Sequence, residues 1–91
     1  MVKDFPFIEK RVGEEIYERL FTSDLNAEDL KWHWDEEDRI ISPLHETDWM
    51  FQFDNELPQR IEGAIKIPQG VWHRLIGGKG DLLLKVIKIK K

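Results

Sequence analysis

From Leu30 onward the chain breaks into short apolar-rich runs, each closed by Gly, Pro, Asn or Asp. Their spacing of roughly 8 to 12 residues is that of sandwiches and barrels, and it predicts strands over Leu30–Asp35, Asp38–Leu44, Trp49–Phe53, Ile61–Ile67, Val71–Ile76 and Leu82–Ile89. So many strands in so short a stretch leave room only for tight turns. Asp54–Pro58 and Gly77–Asp81 read as hairpin connections, the second because successive glycines accept positive φ without steric cost. An antiparallel meander or barrel follows. The first third is less definite. Val12, Ile16 and Leu20 fall at helical spacing, and periodicity alone favours a helix there, although residues 15–21 also contain β-formers. Thr22–Asn26 has the short polar side chains of a turn.

Alternation along a strand assigns faces, because successive Cβ atoms point to opposite sides of a sheet. His33 and Asp35 then share one face and Trp32 and Trp34 the other, while Val71, His73 and Leu75 oppose Trp72, Arg74 and Ile76. Trp49, Phe51 and Phe53 make one face of their strand. Met50 and Gln52 make the other, where a polar amide among apolar neighbours marks Gln52 as a candidate cavity-lining group.

Composition narrows the function classes. A chain of 91 residues is too short for two independent cores, so one domain spanning residues 1–91 is expected. Hydrophobic residues make up 41% and include four Trp and five Phe, enough to bury a core rather than stay disordered. Lys and Arg total 14 against 18 Asp and Glu, a net charge of -4 that offers no footprint for nucleic-acid phosphates. No cysteine is present, which removes disulfides and thiolate metal sites. No apolar run approaches the roughly 18 residues of a membrane span, and Met1–Pro6 lacks the apolar stretch of a signal peptide, so a cytoplasmic protein without membrane partners is expected.

The most specific string is Ile67-Pro68-Gln69-Gly70-Val71-Trp72-His73, in which a Pro/Gly turn delivers a histidine onto the next strand. Pro68, Gly70 and His73 resemble, position for position, the second motif of the cupin family, Pro-x-Gly-x-x-His. Trp32–Arg39 sits where the first motif, a His-x-His followed by Glu, would fall. His33 matches it directly, Asp35 occupies the place of the second histidine, and Arg39 or Ile40 that of the glutamate. The flanking glycines depart, at Ala27 and Glu46, as do the second motif's displaced Gly63 and its closing Gly77. Taken with Trp49–Asn55, the string looks like small cupins of tailed marine phages.

The resemblance implies an all-β, cupin-type antiparallel β-barrel of the jelly-roll kind, often dimeric, with His33, Asp35 and His73 in its pocket. It also implies that the segment before residue 25 is mainly strand. Two imidazoles and a carboxylate suffice to hold one divalent metal, Fe, Mn, Ni or Zn, with positions left open for water or substrate. Such a protein would act on a small polar metabolite by isomerisation, oxygenation or hydrolysis. Arg39 opens an alternative. Paired with Asp35, it would make a metal-free module that binds a small molecule or a protein, with Arg39 and Gln52 orienting the ligand. An iron and 2-oxoglutarate oxygenase fits the His33-x-Asp35 spacing but not the size, since only Arg74 and the terminal lysines follow His73.

The remaining features read as structural. The four tryptophans, Trp32, Trp34, Trp49 and Trp72, are expected in the core or at a subunit interface. His45 reads as a solvated turn residue and Glu36-Glu37-Asp38 as a solvated turn. Lys85, Lys88, Lys90 and Lys91 read as the charges of an edge strand. A homodimer is expected, through the N-terminal segment or the Trp32/Trp34 face, because a barrel this small buries only about two-thirds of its unfolded surface.

Overall fold

A computed structural model describes residues 6–90 as an antiparallel β-barrel. Eight strands follow in chain order: β1 (Ile8–Gly13), β2 (Ile16–Phe21), β3 (Asp38–Pro43), β4 (Met50–Phe53), β5 (Gln59–Arg60), β6 (Ile65–Ile67), β7 (His73–Ile76) and β8 (Leu82–Ile89). A five-stranded sheet in the order β1-β2-β8-β3-β6 faces a three-stranded sheet in the order β5-β4-β7. No helix among the described residues is long and apolar enough to cross a membrane.

The core forms between the sheets because alternation is strict where it matters. On β8, Leu82, Leu84 and Val86 are buried while Leu83, Lys85 and Ile87 face outward. They meet Phe21 of β2, Ile41 of β3 and Ile65 and Ile67 of β6, and from the opposite sheet Phe51, with Trp49 just before β4. Each such side chain contributes about 1.5–3 kcal/mol when withdrawn from water. The Trp49 indole is 1% exposed, and its Nε1–H donates to the Gly80 carbonyl at 2.9 Å, so its polar edge is satisfied as well.

Several expectations need correction. The N-terminal third is a hairpin, β1 paired with β2, which is the strand structure the family resemblance implies and not the helix that periodicity alone favours. Tertiary pairing decides it: β2 lies along β8 from Leu82 to Ile87, with Phe21 opposite Leu82 and Ile16 opposite Ile87. The Leu30–Asp35 run is no regular strand and meets β7 through a single bridge, His33 opposite His73. The run from Ile61 shortens to Ile65–Ile67, following Gly63 at φ 67°.

Strand β8 is central rather than an edge, lying between β2 and β3. One edge of this sheet is the exposed β1, where Glu9, Lys10 and Arg11 supply the charges that discourage edge pairing. Asp54–Pro58 does join paired strands, β4 and β5, but Gly77–Asp81 carries the chain from one sheet to the other. Of the tryptophans only Trp49 belongs to the core. Trp34 and Trp72 are 48% and 46% exposed, and Trp32 is exposed too.

Candidate metal centre

The Pro68–Gly70 turn builds one side of the site. Gly70 takes φ +78°, a conformation closed to most side chains, and its N–H donates to the Asp35 carbonyl at 2.9 Å. The turn therefore holds the Asp35 segment against the start of β7. Next to this link, His33 and His73 bond each other's backbone reciprocally, at 3.0 and 2.9 Å. Parity then turns both imidazoles and the Asp35 carboxylate inward, with the His33 and His73 ring centroids 4.2 Å apart.

Each imidazole is oriented by the same local device. His73 Nδ1 lies 2.8 Å from the Val71 carbonyl and His33 Nδ1 lies 3.2 Å from the Lys31 carbonyl. A carbonyl can only accept, so each Nδ1 carries a proton, and in its neutral form each ring keeps its lone pair on Nε2. Asp35 Oδ2 is buried without a hydrogen-bond partner and lies 3.4 Å from His73 Nε2. The donor atoms of His33, Asp35 and His73 fall within 4.8 Å of one another. Ligand atoms around an ion with bonds near 2.1 Å stand about 3 to 4 Å apart, so the residues fit a divalent metal with little movement. Burial is the main cause holding the His73 imidazole below its ordinary pKa. The Val71 carbonyl and Asp35 pull it up, and His33 and Arg39 push it down. A neutral ring is what a metal requires.

Arg39 resolves the ambiguity between residues 39 and 40. Arg39 faces the cavity, whereas Ile40 alternates to the outer face of β3. Its Nη1 reaches Asp35 Oδ1 at 3.3 Å, and its Nε donates to Glu37 Oε2 at 2.6 Å. Asp35 is thereby divided: one oxygen is held by the guanidinium, and the other is left toward the histidines. Glu37 offsets the Arg39 charge, which lowers the cost of a cation nearby.

His33, Asp35, Arg39 and His73 all border one cavity of about 900 Å³ that opens between the sheets. Gln52 departs from expectation. It lies on the outer face of β4, because Phe51 takes the inward position; its amide accepts from Arg74 Nε at 3.0 Å and donates to the Glu56 carbonyl at 2.9 Å. Asp38, read as part of a solvated turn, accepts from the Gln69 N–H at 2.8 Å and ties β3 to the Pro68–Gly70 turn. His45 also has a structural part, accepting the Leu83 N–H at Nε2. Sequence reading missed the partnership of Glu37 with Arg39 and the inward position of Lys88. For Lys88 the signal was present, since it continues the alternation of Leu82, Leu84 and Val86.

No family model matches the sequence, and no curated protein matches it. Solved structures do match. A cupin domain from Bordetella pertussis Tohama I superposes with TM-score 0.70 over 100% of both chains at 18% identity. The DMSP lyase DddQ from Ruegeria pomeroyi DSS-3 gives TM-score 0.70 at 17% identity, covering 84% of this chain and 38% of that one. The Fe(II) form of HppE with substrate gives 0.64 at 12% identity over 98% of this chain and 56% of that one. The chain therefore has the fold of the cupin proteins, and spans the whole of one such domain but only about half or less of the two enzymes.

Proposed function

We propose that this protein is a metal-dependent small cupin that holds one divalent ion on His33 Nε2, Asp35 Oδ2 and His73 Nε2 and acts there on a small polar molecule. The observation that carries the reading is the convergence of two histidines, each with Nδ1 tied to a backbone carbonyl, on a buried carboxylate oxygen that accepts no hydrogen bond. Fixed tautomers and an orphaned oxygen at the same point are what a cation would complete. That proteins of the same fold include iron and cobalt forms of HppE supports the choice of metal class.

Three protein ligands leave coordination positions open, so a bound ion would act as a Lewis acid or would activate a ligand placed beside it. The chain's own part is to pack Phe51 against the His73 ring, 5.6 Å between centroids, and to hold Asp35 through Arg39, while His33 stays exposed at the mouth of the site. The test is metal content after purification without a histidine tag or chelator, followed by incubation with iron, manganese, nickel and zinc. Stoichiometric metal that disappears in His73→Ala supports the site; none after incubation removes it.

A second reading rests on the Arg39–Asp35 ion pair. If that pair neutralises the carboxylate, the same cavity serves as a metal-free binding module with Arg39 facing the ligand. It would show ligand binding in protein that never takes up metal.

A further inference from the structure

Lys88 stands apart among the charged groups of the cavity. Its position is inward, continuing the buried face of Leu82, Leu84 and Val86, and its backbone is held by donation from its N–H to the Glu15 carbonyl at 2.9 Å. Two other cations face inward beside it. Arg19 is neutralised by Glu9 at 2.6 Å, and Arg39 by Glu37 and Asp35. Lys88 has no carboxylate partner among the described residues; its ammonium lies 4.5 Å from the centroid of the Tyr17 ring.

The register sharpens the point. Arg39 and Lys88 are direct cross-strand partners on the inward side of β3 and β8. Like charges directly opposite on a sheet are destabilising unless something negative lies between or beside them. The Asp35 and Glu37 carboxylates compensate the Arg39 half of the pair, and no carboxylate among the described residues is paired with Lys88 itself. The protein as a whole is anionic, at -4, and Glu28 and Asp29 also border the cavity, so a cation there without a carboxylate partner is a local device rather than part of a basic surface. Lys31 also borders the cavity, but at its exposed rim.

We infer that the cavity takes a small organic anion, a carboxylate or a phosphoryl group, whose negative end docks on the Lys88 ammonium between Arg39 and Tyr17 while the rest of the molecule faces His33 and His73. The inference deepens the proposed function and rests on its placement of the substrate beside the two histidines. A flexible ammonium with three donors suits either oxyanion, and the Tyr17 ring beneath it restrains the ammonium without removing its charge.

The test is a two-dimensional NMR titration of the full chain, with and without added zinc, using matched probes: propionate against propionamide, and methyl phosphate against trimethyl phosphate. The anions should shift Lys88, Tyr17 and Arg39 and bind about tenfold or more tightly than their neutral counterparts, the scale of one charge-assisted hydrogen bond. Lys88→Met should abolish that preference and Lys88→Arg retain it. Lys88→Gln replaces the first variant if Lys88→Met does not fold. Equal binding of charged and neutral probes, or an unchanged preference in a folded variant without the charge, overturns the inference. Anion preference without zinc uptake would remove the metal site and leave Lys88 in its role, whereas zinc uptake without anion preference would do the reverse.

Discussion

His33 and His73 exchange both of their backbone hydrogen bonds, an isolated pair that joins an otherwise irregular segment to β7. This single bridge decides two faces at once. Inward it brings the imidazoles together; outward it sets Trp32 beside Arg74, whose guanidinium carbon lies 4.6 Å from the indole ring centroid. The candidate site is thus made by tertiary closure of the barrel, not by a regular strand.

Because Glu37 holds Arg39 Nε at 2.6 Å, it limits how far the guanidinium competes for Asp35. Glu37→Gln should free Arg39 to engage Asp35 fully and leave a cation uncompensated beside the site. Metal affinity should fall by about tenfold, the lower end of what outer partners of metal ligands contribute. Titration calorimetry with zinc checks this, and an unchanged affinity would show that Arg39 does not bear on the site.

Trp49 and Trp72 make a direct contrast in burial, 1% against 46% exposed. Trp49→Ala should destabilise by about 3–5 kcal/mol, the range for truncating a core aromatic, and Phe51→Ala should behave alike. Trp72→Ala should cost under about 1 kcal/mol. Denaturant melts of the variants measure both, and comparable losses at the two tryptophans would mean that Trp72 is covered in solution.

Gly70→Ala isolates a backbone effect. A Cβ there would meet nothing within 4 Å, so only the φ of +78° opposes it. The cost should be about 1–2 kcal/mol, with no packing defect. A thermal melt measures it, and a loss much beyond that range would show that the Gly70 link to Asp35 carries more of the fold than its geometry implies.

The outer face of the larger sheet carries Leu20 opposite Leu83, and Ile16 and Ile40 on either side of Ile87. Ile8, opposite Leu20, is 66% exposed. These two apolar rows, separated by the charged row of Lys10, Glu18 and Lys85, are the surface we expect a homodimer to cover. Sedimentation at micromolar concentration should give about twice the 10.9 kDa chain mass, and Ile8→Lys should shift it toward monomer. A monomeric wild-type protein would leave that face to another partner.

How far the sequence carries depends on what each element answers to. Strand β8 was legible to its last residue, because Leu82, Leu84 and Val86 alternate without a break. His33, Asp35 and His73 were legible together, since parity and the Pro68–Gly70 turn point the same way. The β1–β2 hairpin was legible only through the family resemblance: Val12, Ile16 and Leu20 fall at helical spacing by coincidence, and what makes β2 a strand is β8, far along the chain. Strand order is equally hidden, which is why lysines on the central strand resemble those of an edge. Gln52 was assigned to the cavity from its polarity, although the parity of Phe51 already turned it outward.

Whether His33, Asp35 and His73 hold one ion is read by anomalous diffraction from crystals of untagged protein grown with manganese, iron or zinc. Data collected on both sides of the metal's absorption edge should show a single peak about 2.1 Å from His33 Nε2, Asp35 Oδ2 and His73 Nε2. Crystals without such a peak, with Asp35 closed onto Arg39 through both oxygens, would contradict a metal site there and leave the cavity as a metal-free binding site.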